Sequence, residues 1–171
     1  RNTGLLAYVA MGIIALGASA LTSMESLKRI MFGFGAAGLI NIVYCFIAWQ
    51  FDDPINWSNP YGAILGTFGN PNFISSFLGM VILALSAFAL QPGIKIWQRL
   101  TLAFLASMAL AEIISSNSIQ GLVVTAFGLV LVTLYKIRSL KIENKSLRLS
   151  LVTSYLTIVA IGGITALLGA L

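Results

Sequence analysis

Histidine is absent from the chain, and cysteine occurs once, at Cys45, inside an apolar run. Without histidine there is no Ser–His or Cys–His pair for nucleophilic catalysis and no His/Cys set to hold a metal ion. A lone cysteine cannot close an internal disulfide. No metal and no cofactor are therefore expected. Charge is scarce too: Asp, Glu, Lys and Arg make up 9% of the 171 residues, against about 25% in a soluble domain. A surface that meets water cannot be assembled from so few charges. With 58% of its residues hydrophobic, the chain is expected to face lipid. It opens on Arg1 rather than Met and stops at Leu171 within an apolar run, so it is expected to be a piece of a longer protein. Its apolar runs are too long and too many for a signal peptide.

A helix that spans the ~30 Å hydrocarbon core needs about 20 apolar residues at ~1.5 Å each. Such runs occur at 4–22, 30–49, 73–91, 99–116, 121–136 and 148–171. They are continuously apolar rather than alternating, which disfavours a barrel. The expected fold class is all-α: one polytopic transmembrane bundle of about six helices over 1–171, a fragment of a larger bundle. The basic residues support this count. Lys28, Arg29, Lys95, Arg99, Lys136, Arg138, Lys141, Lys145 and Arg148 fall in or beside alternate loops, and 50–72 and 117–120 contain no Lys or Arg. By the positive-inside rule, loops 23–29, 92–98 and 137–147 are expected in the cytoplasm and loops 50–72 and 117–120 outside. Arg1 would lie outside. The net charge of +5 then reflects contact with anionic headgroups. Membrane lipid is the expected partner, and nucleic acid is not.

The two outward segments carry most of the polar residues. The first runs from Gln50 through Asp52, Asp53, Asn56, Trp57 and Asn59 to Gly66-Thr67-Phe68-Gly69-Asn70-Pro71-Asn72-Phe73. It is rich in turn formers and long for a bundle connection. Trp49, Trp57 and Tyr61 suit a membrane–water interface. Asn70-Pro71 reads as a helix start, because Asn is a favoured N-cap and Pro is tolerated at the first helical position. The helix then carries Asn72, Ser75, Ser76 and Gly79 on one face by i, i+3, i+4, i+7 spacing. Such a stripe faces protein or a cavity, not lipid. Two readings stand: a plain cap with small-residue packing, or a positive helix end turned toward a polar cavity that attracts anions such as phosphate.

The second segment runs Glu112-Ile113-Ile114-Ser115-Ser116-Asn117-Ser118-Ile119-Gln120-Gly121. Glu112 falls about one turn inside the fourth helix. An ionisable group at that depth is functional by default, unless it reaches interfacial water or a structural donor. Ser118 and Gln120 add hydrogen-bonding groups at the same outer surface. Asn41, inside the second helix, reads as interhelical hydrogen-bonding glue.

The stretch from Gly66 to Phe73, opening a membrane helix after a Trp/Asn/Pro loop, resembles a motif of the O-antigen ligase and polymerase superfamily. Members carry a similar GT(F/L)GNPN run. About 45 residues later they have a small polar turn, often Ser-Arg-Gly, matched here in position by Ser118-Ile119-Gln120-Gly121. The Arg is missing, so no role of that Arg is carried over. The resemblance covers about 12 residues at the motif level and most of the chain in helix order. It implies a metal-independent glycosyltransferase at the outer face of the bacterial plasma (inner) membrane. Its donor would be a polyprenyl-diphosphate-linked glycan and its acceptor a glycan, a lipid or a protein. Thr67, Asn70, Asn72, Ser75, Ser118 and Gln120 would bind substrate. Members usually have about twice as many helices and a large external loop with the key residues, so this segment alone is expected to be inactive. Transfer needs a base for the acceptor hydroxyl. Glu112 is the available buried carboxylate and the candidate catalytic residue.

Two other readings remain open. One is a transporter or flippase that uses Glu112 and the interrupted segment 66–72 as a gated site. The other is a membrane scaffold without catalysis. Transporters of that kind often carry inverted repeats, and 1–85 and 86–171 show none.

Overall fold

A computed structural model describes residues 3–21, 23–57, 59, 62–139 and 145–169. These residues form α1 (Thr3–Ser19), α2 (Met24–Gln50), a 3-10 turn (Gly66–Phe68), α3 (Pro71–Ala89), α4 (Ile96–Ser115), α5 (Ile119–Ser139) and α6 (Lys145–Gly169), with no strand among them. Arg1, Tyr61 and Lys141, which the sequence reading used, lie outside the described residues. The fold is an all-α membrane bundle. Among the described residues α2, α3, α4 and α5 are long and apolar enough to cross a bilayer, and α6 has a shorter apolar stretch at Val152–Thr165. At 17 residues, α1 falls short of the ~20 that a straight span takes. The outer surfaces fit lipid rather than water: Phe32 is 80% exposed, Phe127 68%, and Phe73 and Phe104 63% each.

Residues 1–36 and 37–171 form two compact units. In the first, the Ser19 hydroxyl donates to the Leu16 carbonyl at 2.8 Å and closes the end of α1. The first turn of α2 is polar, ahead of the apolar run that begins near residue 30. It is helical because Ser23 caps it, its Oγ accepting from Ser26 N–H at 3.1 Å. Glu25 then faces Lys28 at 3.9 Å and Arg29 at 3.8 Å across one turn. These exposed pairs contribute only a few tenths of a kcal/mol each.

In the second unit, α3 is central, packing against α4 and α5, while α4 also packs against α6. Small residues permit the close approaches. A Cβ on Gly121 would sit 2.5 Å from the Ser75 carbonyl oxygen, and one on Gly79 3.1 Å from the Gly121 oxygen. On α6, a Cβ on Gly162 would meet Ser107 Oγ at 2.5 Å. Ser75-x-x-x-Gly79 therefore meets Gly121-x-x-x-Thr125, which is the small-residue packing that membrane helices use where burial from water gives no drive. This packing is what the Ser/Gly face of α3 serves. Tyr155 of α6 reaches Ser86 of α3, with its hydroxyl 3.3 Å from Ser86 Oγ. At the end of α3, Arg99 Nε donates to the Ala89 carbonyl at 2.8 Å, placing a cation where the helix dipole favours one. The α5 helix runs from 119 to 139 rather than 121 to 136. Its extra last turn carries Lys136 and Arg138, which the same dipole stabilises.

Gly121→Ala and Gly128→Ala should differ sharply. The new methyl at 121 meets backbone, which cannot move aside, whereas at 128 it meets the tip of Leu83 at 2.2 Å, which can rotate. Thermal unfolding in detergent should show a loss of about 1–3 kcal/mol for Gly121→Ala and a much smaller one for Gly128→Ala. Equal stability of the two variants would refute the close α3–α5 contact.

Candidate functional site

The segment 66–73 is a turn held from four sides. Gly66 has φ 58° and Gly69 φ 64°, a region that favours glycine. Space alone would also exclude a side chain there. A Cβ on Gly66 would lie 2.5 Å from Ile74 Cγ1, and one on Gly69 2.6 Å from Trp57 Cζ3. Between them, Thr67 is tied to α2: its N–H and hydroxyl donate to Asn41 Oδ1 at 3.2 and 2.8 Å. Asn41 Nδ2 in turn donates to the Ala37 carbonyl at 3.0 Å. Asn41 thus joins a helix to the turn rather than one helix to another. Phe68 packs on Phe77, with ring centroids 5.2 Å apart.

Asn70 caps α3. Its Oδ1 accepts from Asn72 N–H at 2.9 Å and Phe73 N–H at 3.4 Å, and its carbonyl accepts from Ile74 N–H at 3.1 Å. Pro71 has no N–H. Every donor of the first turn is therefore occupied or missing, and none is left to bind an anion. The dipole remains, but a phosphate site built from backbone N–H groups does not.

The second segment meets the first at this end of the bundle. The turn between α4 and α5 is only three residues, Ser116–Ser118. Asn117 takes φ 56°, which Asn tolerates better than most residues. Ser118 N–H lies 3.3 Å from Ser116 Oγ. The Ser118 hydroxyl then donates to Asn72 Oδ1 at 2.9 Å. The Ser75 hydroxyl lies 2.8 Å from Ser118 Oγ and 3.2 Å from the Asn72 carbonyl, and its one proton serves these two acceptors. Ser76 Oγ donates to the Asn72 carbonyl at 2.8 Å and lies 3.5 Å from Gln120 Oε1. Ser75 and Ser118 are buried, while Asn72 and Gln120 are exposed.

The structure thus joins Asn70, Asn72, Ser75, Ser118 and Gln120. Ser75 and Ser118 form the floor, and the amides of Asn72 and Gln120 form the rim. Thr67 stands apart, bound to Asn41. Glu112 is fully buried in α4, and neither carboxylate oxygen has a hydrogen-bond partner among the described residues. It shares no hydrogen bond with the cluster. The described residues contain no group of three or more His, Cys, Asp or Glu that could hold a metal ion. The sequence reading missed a second network, in which the Tyr44 hydroxyl donates to Asp53 and Trp57 Nε1 donates to Tyr44 at 3.2 Å. Aromatic and acidic residues at a span end were its signal. In comparisons with protein-family models, curated proteins and solved structures, nothing matches the chain.

Asn70→Ala should destabilise the protein by about 1 kcal/mol through loss of the cap, and Asn70→Asp should restore that stability. Asn72→Ala should cost a similar ~1 kcal/mol, because the buried Ser118 hydroxyl loses its acceptor. Thermal or denaturant unfolding in detergent checks both. An Asn72→Ala protein as stable as the parent would remove the Ser118–Asn72 bond from the account.

Proposed function

We propose that the chain is part of a membrane glycan ligase or polymerase. It would transfer a polyprenyl-diphosphate-linked glycan to an acceptor at the outer face of a bacterial plasma membrane. The observation that carries this reading is the union of the Gly66–Phe73 segment with the Ser118–Gly121 turn. These are the two stretches that resemble the O-antigen ligase and polymerase superfamily, and here they share one hydrogen-bonded cluster with exposed amides. Amide groups at a rim suit sugar hydroxyls, since each can both donate and accept. The occupied N–H groups of α3 leave the donor's diphosphate to be neutralised by other cationic groups. The absence of Lys and Arg from 50–72 and 117–120 agrees with that division.

The reading is tested by replacing the rim in the protein within its host. Asn72→Ala and Gln120→Ala should each reduce surface glycan at least about tenfold, the loss expected when a site built to bind hydroxyls is left unpaired. Asn70→Asp, which keeps the cap, should retain it. Normal glycan in rim variants that insert and accumulate as the parent does would reject the site.

The alternative is a transporter or flippase, and Glu112 favours it. An ionisable side chain enclosed within a membrane helix is a common feature of ion and substrate pathways. Glu112→Gln separates the two readings. On the transferase reading, surface glycan persists, because the Glu112 carboxyl shares no hydrogen bond with the described cluster residues. On the transporter reading, uptake or flipping of the lipid-linked substrate into the opposite leaflet of proteoliposomes falls.

A further inference from the structure

A cavity of about 490 Å³ lies at the end of α2, under the loop that leads to the glycine turn. Trp49, Asp52, Asp53 and Trp57 are among its lining residues, and no described Lys or Arg is. Asp53 is committed to structure: its Oδ1 accepts from the Tyr44 hydroxyl and from Ile55 N–H at 2.9 Å. Trp57 is likewise fixed, by Tyr44 and by its seat on Gly69. Asp52 differs from both, being exposed and hydrogen-bonded to no described residue. Asp53 and Trp57 are thus held in place in the lining, Trp49 also lines it, and Asp52 is the uncommitted carboxylate. Two carboxylates without a cationic neighbour repel phosphate and attract cations. Indole faces attract cations as well.

We propose that this cavity binds a cationic amine. Asp52 is the ion-pair partner, and Trp49 and Trp57 supply aromatic walls. The site does not depend on the glycan-transfer reading. Its ammonium group could belong to an amino sugar or to an ethanolamine headgroup, and the test distinguishes these. It also differs chemically from the amide rim, which carries no charge.

The chain has three tryptophans, and the third, Trp97, lies on α4 outside this cavity. Trp97→Phe therefore leaves only the two cavity indoles as fluorescent reporters. In detergent, the purified Trp97→Phe protein should show saturable emission changes on titration with glucosamine. N-acetylglucosamine and glucose, which lack the charge, should bind at least about tenfold more weakly. Saturation by ethanolamine at the same concentration as glucosamine assigns recognition to the ammonium alone, and weaker ethanolamine binding assigns it to the amino sugar. Asp52→Asn, an exposed change that spares the Asp53 network, should weaken glucosamine about tenfold. Added salt should weaken the parent's binding and not the variant's. Equal binding of glucosamine and N-acetylglucosamine, saturation unaffected by Asp52→Asn, or no saturation with any amine would each overturn the proposal.

Discussion

The approach of α3 to α5 is the constraint on which the rest depends. At Gly121 the two backbones come so close that a single added carbon would collide with the Ser75 carbonyl. Lipid tails are as apolar as leucine, so greasy side chains alone give two membrane helices little reason to associate. Contact area and hydrogen bonds must supply it, and both require closeness. At this separation Ser118, at the start of α5, reaches Ser75 and Asn72 on the first turns of α3. Moving the helices apart by the width of a methyl group would break both bonds. The packing that stabilises the bundle is thus the packing that builds the polar cluster.

The glycine turn shows how local chemistry narrows function. Gly66 and Gly69 each meet two requirements, a left-handed backbone and a neighbour pressed against the missing side chain. Between them Thr67 is held by Asn41, and beyond them Asn70 occupies the open N–H groups of α3. A helix start after a glycine turn commonly presents free N–H groups to phosphate, but this one does not. What remains exposed around the turn are side chains: Thr67, Phe68, Phe73 and the amide of Asn72. On the proposed transferase reading, a neutral rim would discriminate by hydrogen-bond geometry rather than by charge.

Much of the fold was legible because spanning helices are written as long apolar runs. The limits of those runs were less legible. The start of α2 is polar and becomes helical through Ser23 and Glu25, signals of capping and charge spacing that hydropathy does not register. The Asn70 cap could be read from two adjacent residues. The stripe of Ser75 and Gly79 could be read from spacing, but its partner could not, because Gly121 lies more than 40 residues along the chain. The same holds for Asn41 and Thr67, 26 residues apart. An intramembrane Asn announces that it needs a partner without saying that the partner is a turn rather than a helix. Trp57 read as an interfacial aromatic, and only its seat on Gly69 shows that it also shapes the turn.

Glu112 does not fit the cluster, and its separation is informative. Its carboxyl is enclosed in α4 with no hydrogen-bond partner among the described residues. A general base must come within hydrogen-bond reach of the proton it removes, directly or through one water. On the proposed transferase reading, a sugar hydroxyl held at the Asn72–Gln120 rim would meet no carboxylate among the described groups bonded there. On the same proposed reading the rim would orient an acceptor or a donor sugar, and proton removal would require a group from elsewhere. Glu112 and the rim are thus two separate features, an enclosed carboxyl within the bundle and a hydrogen-bonded polar cluster at its end.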